Sequence, residues 1–128
     1  MKATAICDGR GNAGTGARAV VLSLEDGRSF EKAEKLEPTT NIVAEHRAIQ
    51  LAMELALQHG VHDLLILNDS QTPVNHVRGT WAVKQPHLRP IVEQTWEMRQ
   101  QFARCSIRWI PREQTKRADA LCRAVDPR

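Results

Sequence analysis

The stretch T-A-I-C-D-G-R-G-N-A-G-T-G, Thr4 to Gly16, constrains the fold of this chain more than any other. Its apolar opening, Ala3 to Cys7, has the length and composition of a strand, and that strand ends on a carboxylate, Asp8. Glycines at 9, 11, 14 and 16 follow. The backbone can therefore turn sharply, and no large side chain crowds the acid. An acid at a strand end beside bare backbone is suited to holding a metal ion or receiving a phosphate.

Gly9, Gly11 and Gly14 also satisfy G-x-G-x-x-G. That pattern binds a dinucleotide only where its last glycine opens a helix facing the pyrophosphate. Here Gly14 leads into the β-prone run Ala17–Leu24, closed by the turn Glu25-Asp26-Gly27. The glycines therefore predict a hairpin, and a dinucleotide-binding protein is the disfavoured reading.

At 128 residues the chain fits a single domain, 1–128. No apolar run approaches the ~20 residues of a membrane span, and the N-terminus lacks the apolar core of a signal peptide. These features predict a cytoplasmic protein with no membrane partner. Cys7, Cys105 and Cys122 are odd in number, far apart and without a C-x-x-C pair. They argue against a disulfide framework or a zinc site. Net charge is only +3, but its distribution is uneven. From Ser70 to Val92 there is no Asp or Glu, while Arg78, Lys84 and Arg89 are basic, and the chain from Arg104 onward is rich in arginine. A solvated basic surface and a polyanion partner are both compatible with that distribution.

In chain order, Arg28–Leu36 predicts a third strand, and Pro38-Thr39-Thr40-Asn41 a break that caps a helix from about Ile42 to His59, stopped by Gly60. Leu64–Leu67 reads as a strand covered on both faces. Asp69 or Ser70 then caps a short helix ending at Gly79. Thr80–Arg89 is a loop or short helix carrying Trp81. Ile91–Arg104 is amphipathic, with Ile91, Met98 and Phe102 on one stripe and Val92 and Trp96 beside it. Ser106–Ile110 predicts a strand, with Ile107 and Trp109 alternating, and Lys116–Val125 a closing helix. Strands first, then helices alternating with strands, give an α/β fold with a mixed sheet and helices packed against it.

Four acids stand out. At 100° per residue, Ile42, Ala48, Ile49, Ala52 and Ala56 surround the direction of Glu45, whereas Arg47, Gln50, Glu54 and Gln58 lie opposite. Glu45 thus points toward the sheet, and a buried carboxylate needs a partner. Asp69 ends an apolar strand, where it is either a helix cap or a ligand at the strand's carboxyl end. Asp119 borders the stripe Ala118, Cys122 and Val125, with Lys116 and Arg123 at ion-pair spacing. If Asp8, Glu45, Asp69 and Asp119 converge, they cannot all stay ionised without cations. Oxygen ligands of this kind suit Mg²⁺ or Mn²⁺. A carboxylate-held metal pair on a basic surface is equipped for phosphodiester hydrolysis.

With those acids in place, the chain resembles type 1 ribonuclease H, in the compact bacterial and archaeal form without the extra basic helix. The matching segments are D-G-R-G-N-A-G at Asp8–Gly14, T-N-I-V-A-E at Thr40–Glu45, N-D-S-Q at Asn68–Gln71 and R-A-D-A-L at Arg117–Leu121. W-A-V-K-Q-P-H-L-R-P at Trp81–Pro90 and W-I-P-R-E at Trp109–Glu113 also fit. The resemblance implies a ribonuclease H-like five-stranded mixed sheet with helices on both faces and the first and fourth strands adjacent. It implies a D-E-D-D site of Asp8, Glu45, Asp69 and Asp119 for two Mg²⁺ or Mn²⁺ ions. Asp8 would bridge both, Glu45 and Asp69 would help hold one, and Asp119 the other. One ion would activate the attacking water and the other would stabilise the leaving 3′ oxygen. The implied substrate is the RNA strand of an RNA/DNA hybrid, cut to 5′-phosphate and 3′-hydroxyl ends with no obligate protein partner. Contacts in the minor groove would fall to Asn12, Asn41 and Gln71, and Trp81, Lys84 and Arg89 would flank the DNA strand. Gly9, Thr40 and Arg112 complete the expected substrate contacts. The chain departs from the family pattern at four points: the glycine loop is two residues shorter, Ile42 replaces a second Asn, Thr115 replaces an Asn, and Pro111–Lys116 has no histidine. A nucleic-acid-binding module of the same fold without catalysis is the alternative these departures leave open.

Overall fold

The computed structural model describes residues 1–12 and 14–127; Ala13 of the glycine motif and Arg128 lie outside the described residues. Five strands form one sheet: β1 (Lys2–Asn12), β2 (Thr15–Leu24), β3 (Ser29–Lys35), β4 (Asp63–Asn68) and β5 (Arg104–Trp109), in the order β3-β2-β1-β4-β5. The first three form an antiparallel meander, while β4 runs parallel to β1 and β5 parallel to β4. The helices are α1 (Asn41–Gln58), α2 (Gln71–Arg78), α3 (Arg89–Arg99) and α4 (Lys116–Val125), with a 3₁₀ turn at Arg112–Gln114. The mixed sheet and the β1–β4 adjacency are as expected.

The first strand does not end at Asp8. It runs on to Asn12, which pairs with Thr15 of β2, so the glycines lie inside a hairpin and no helix follows them. At Gly9, Gly11 and Gly16 the role is close approach. A Cβ on Gly9 would overlap the Ala44 carbonyl, and one on Gly11 would come within 2.5 Å of the Thr39 carbonyl oxygen. Bare backbone therefore lets the start of α1 lie directly on β1. Thr40 caps that helix as predicted, its Oγ1 accepting from the Val43 N–H at 3.3 Å.

The main core lies between the sheet and α1. Ala5, Cys7, Val20, Leu22, Leu64 and Ile66 face Ala48, Ile49, Ala52 and Met53. On the opposite face α4 packs Cys122 on Ala17 and Ala19. That second layer is thin, so β4 alternates: Leu64 and Ile66 are buried, but Leu65 and Leu67 are only half-buried, which corrects the expectation of cover on both faces. The third helix also differs from prediction, ending at Arg99 instead of Arg104. It buries Val92 and Thr95 and leaves Trp96 exposed. Phe102 reaches the core from the connection to β5. The placement of α3 against α1 reverses the expectation for Gln50. Its Nε2 is buried and donates to the Ile91 carbonyl at 3.1 Å and to Thr95 Oγ1 at 3.2 Å. On β5, Ile107 enters the core and Trp109 does not.

Candidate active site

Parallel pairing of β1 and β4 matches Ile6 with Leu67, which brings Asp8 and Asp69, each two residues beyond that pair, to the same end of the sheet. The close seat of α1 on the glycines lowers Glu45 into the same place. Carboxylate oxygens of Asp8, Glu45 and Asp69 lie within 4.8 Å of one another. Asp8 and Glu45 are both buried. Asp119, on α4, stands close enough to Asp8 to raise its pKa, but it lies outside that triad. It is partly exposed and paired with Arg123, Nε to Oδ2, at 2.9 Å. The surface ion pair, one of the two sequence readings of Asp119, describes its contact with Arg123.

The electrostatics are those of crowded anions. Burial first, then repulsion from Asp69 and Asp119, pushes Asp8 up from 3.8 to about 7, against a lowering pull from Arg112. Burial likewise pushes Glu45 up from 4.5 to about 8, with Asp8 adding to it and the Asn68 hydrogen bond opposing it. Carboxylates held this way favour protonation or a cation. Oxygen donors converging on one point fit a hard divalent ion.

Glu45 and Asp69 are oriented by neighbours. Glu45 Oε1 accepts from the Gly9 N–H at 2.8 Å and from Asn68 Nδ2 at 3.1 Å. Asn68 also donates to the Cys7 carbonyl, and its Oδ1 accepts from the Ser70 N–H. Thr115 Oγ1 donates to Asp69 Oδ2 at 2.8 Å, and Trp109 Nε1 to the Asp69 carbonyl at 3.0 Å. Asp69 is thus not the cap of α2, where Ser70 takes that position. Sequence reasoning passed over Asn68 as an orienting group and treated Thr115 only as a substitution. The signals available were a polar residue closing an apolar strand and a hydroxyl just before α4. Arg10, two residues past Asp8 on the same strand face, was also missed; its Nη1 is buried without a partner among the described residues.

The predicted substrate contacts fall into three groups. Asn12 and Thr40 line one hollow beside the hairpin, and the residue after Thr40, Asn41, accepts at Oδ1 from the Gly11 N–H at 3.4 Å. Trp81 and Lys84 line a cleft with His76 and Thr72 of α2, and Trp81 also joins Arg89 in a second cleft against α3. Arg112 is 92% exposed with Nε 3.8 Å from Asp69 Oδ2, and Gln71 opens α2 two residues beyond Asp69. Gly9 lies inside the acid site through its N–H. The shortened loop keeps Asn12 in the β1–β2 hairpin.

Comparison with known proteins agrees with this fold. Residues 6–125 match the model of the family described as reverse transcriptase-like. The bifunctional protein Rv2228c of Mycobacterium tuberculosis is 31% identical over 125 residues, which cover 94% of this chain but 34% of that protein. This chain thus spans about a third of the length of that relative. The crystal structure of RNase H1 from Halobacterium salinarum superposes with a TM-score of 0.89 at 34% identity, covering 94% of each chain. That of LC11-RNase H1 in complex with an RNA/DNA hybrid superposes with a TM-score of 0.88 at 27% identity, covering 96% of this chain and 95% of that one.

Proposed function

The chain belongs to the type 1 ribonuclease H family, and we propose that it is a metal-dependent endoribonuclease that hydrolyses the RNA strand of RNA/DNA hybrids. The observation that carries this reading is the convergence of Asp8, Glu45 and Asp69, with Asp119 beside Asp8. Four acids have no purpose in a module that only binds a polyanion, since each repels phosphate. They suit a site where Mg²⁺ or Mn²⁺ offsets their charge. When bound, such ions supply Lewis acidity and charge neutralisation at a phosphodiester.

The chain's own residues do the rest. Asp8, Glu45, Asp69 and Asp119 are the proposed ligands. Asn68 and the Gly9 N–H hold one Glu45 oxygen fixed, leaving the other for a cation. Thr115 occupies one lone pair of Asp69 and aims the remaining oxygen. Asp119 is the most exposed of the four and borders solvent, which suits it to the side an incoming strand approaches. Around the acids, Asn12, Asn41 and Gln71 present amides suited to ribose 2′-hydroxyls and groove shape, a recognition independent of base sequence. Trp81, Lys84 and Arg89 offer an aromatic face and two cations to the DNA strand, and Arg112 a cation beside Asp69. The expected products are a 5′-phosphate and a 3′-hydroxyl.

The test is a strand-labelled duplex. With Mg²⁺ or Mn²⁺ the RNA strand of a hybrid should be cut and its DNA strand left whole, and Asp69→Asn should abolish cutting. Hybrid binding without cutting under either ion would replace this reading with the binding module.

A further inference from the structure

Away from the carboxylates, three arginines meet at the free edge of the sheet. Arg78 ends α2, Arg99 ends α3, and Arg108 lies on β5; with Ser106 and Ile107 they line an open cleft of about 280 Å³. The Arg99 guanidinium is fixed by two backbone acceptors, its Nε donating to the Cys105 carbonyl at 2.9 Å and its Nη1 to the Val77 carbonyl at 3.1 Å. Arg78 and Arg108 make no ion pair among the described residues, and no acid lines the cleft.

Two helix C-termini favour cations at Arg78 and Arg99, and an edge strand is commonly protected by charge such as Arg108. Neither accounts for the convergence of all three on one hollow. Like charges gathered on one hollow repel, and no acid of the cleft offsets them. Strand alternation adds a donor. The Cys105 carbonyl points outward to Arg99, so the N–H of Ile107, two residues on, faces the same open edge. Guanidinium forks with a backbone N–H are the donor set for phosphate oxygens. No aromatic ring lines the cleft, so nothing there would hold a base.

We propose that the Arg78–Arg99–Arg108 cleft is a second nucleic-acid contact, holding one backbone phosphate of a duplex whose neighbouring segment lies at the carboxylates. Position selects a duplex phosphate over a free anion. Helix α2 separates Arg78 from the residues after Asp69 by about 12 Å at 1.5 Å per residue. The β5 edge lies two strands from Asp8, about 10 Å away. At 3.4 Å per base step, that reach is about three to four steps along one strand. The inference rests on the proposed action on nucleic acid only in placing a duplex at the acids.

The test measures duplex affinity without divalent cation over a range of salt, for wild type and for Arg78→Ala/Arg108→Ala. A matched variant, Lys2→Ala/Arg28→Ala, removes two charges at the far end of the sheet. Loss of one phosphate contact lowers the slope of log K against log salt by about 0.9. The cleft variant should show that loss and a several-fold weaker affinity on hybrid and on DNA duplex alike, with turnover at saturating hybrid unchanged. The matched variant should keep the wild-type slope. Equal slopes in all three proteins overturn the proposal. So does an unchanged slope together with thermal stabilisation by inorganic phosphate that the cleft variant lacks, because the site would then serve a free anion. If wild type binds duplex but cuts no hybrid, the proposed activity fails, while the slope comparison still decides the cleft.

Discussion

Glu45 is costly as an anion where it sits. Its surroundings push its pKa up to about 8 and that of Asp8 to about 7, so the folded chain holds protons that the unfolded chain releases near pH 4. Stability from this pair is therefore greatest below the ordinary carboxylate range and is lost as pH rises through about 4 to 8. Two predictions follow from that sign. Glu45→Gln keeps an oxygen for the Gly9 and Asn68 donors and removes the charge. Without divalent cation at pH 8 it should melt higher than wild type, by on the order of 1 kcal/mol or about 3–5 °C, while losing cleavage. Millimolar Mg²⁺ should raise the wild-type melting temperature by several degrees at pH 8 and scarcely at pH 5, where protons already occupy Asp8 and Glu45. Glu45 was legible in the sequence because a single charged residue interrupts the inward face of a long helix. The orienting roles of Asn68 and Thr115 were not, since each depends on which strand or loop folds beside it.

The seat of α1 on the β1–β2 hairpin is what lowers Glu45 to the acids. Gly9→Ala places a methyl against the Ala44 carbonyl, and backbone cannot move aside as a flexible side chain can. The expected loss is at least about 3 kcal/mol in urea unfolding. Gly14→Ala tests the contrast. Its neighbourhood is open, and only its positive φ of 94° opposes a side chain, so the loss should be about 1–2 kcal/mol. The hairpin was legible because a turn follows too soon after Gly14 for a helix. The reason for its glycines was not, because it lies in the backbone of a segment some thirty residues away and leaves no local pattern. The same limit explains Gln50. Polar spacing put it outside, and the later helix α3 covered it.

Across the whole molecule, His46 opposes the acids. It is fully buried against His76, with Nε2 3.2 Å from His76 Nδ1. Burial first, then His76 and Arg47, pushes its pKa down to about 4. The unfolded chain therefore takes up a proton below about pH 6.5 that the folded chain refuses, and stability falls as pH drops from there toward 4. His46→Asn should remove this opposing loss, so that the melting temperature climbs more steeply as pH falls from 6.5 toward 4, and should leave the profile above pH 6.5, set by Asp8 and Glu45, unchanged. The mixed sheet and the adjacency of β1 and β4 were readable through the family resemblance that the order of the motifs carries. The thin second layer under α4 was not, because Ala17, Ala19 and Cys122 are too small to announce a buried face.

The most direct measurement is anomalous diffraction from a crystal soaked in Mn²⁺, for wild type and Asp8→Asn. The account predicts a peak about 2.0–2.5 Å from oxygens of Asp8, Glu45 and Asp69, lost in the variant. A wild-type crystal with Mn²⁺ bound elsewhere and none among these acids would contradict it.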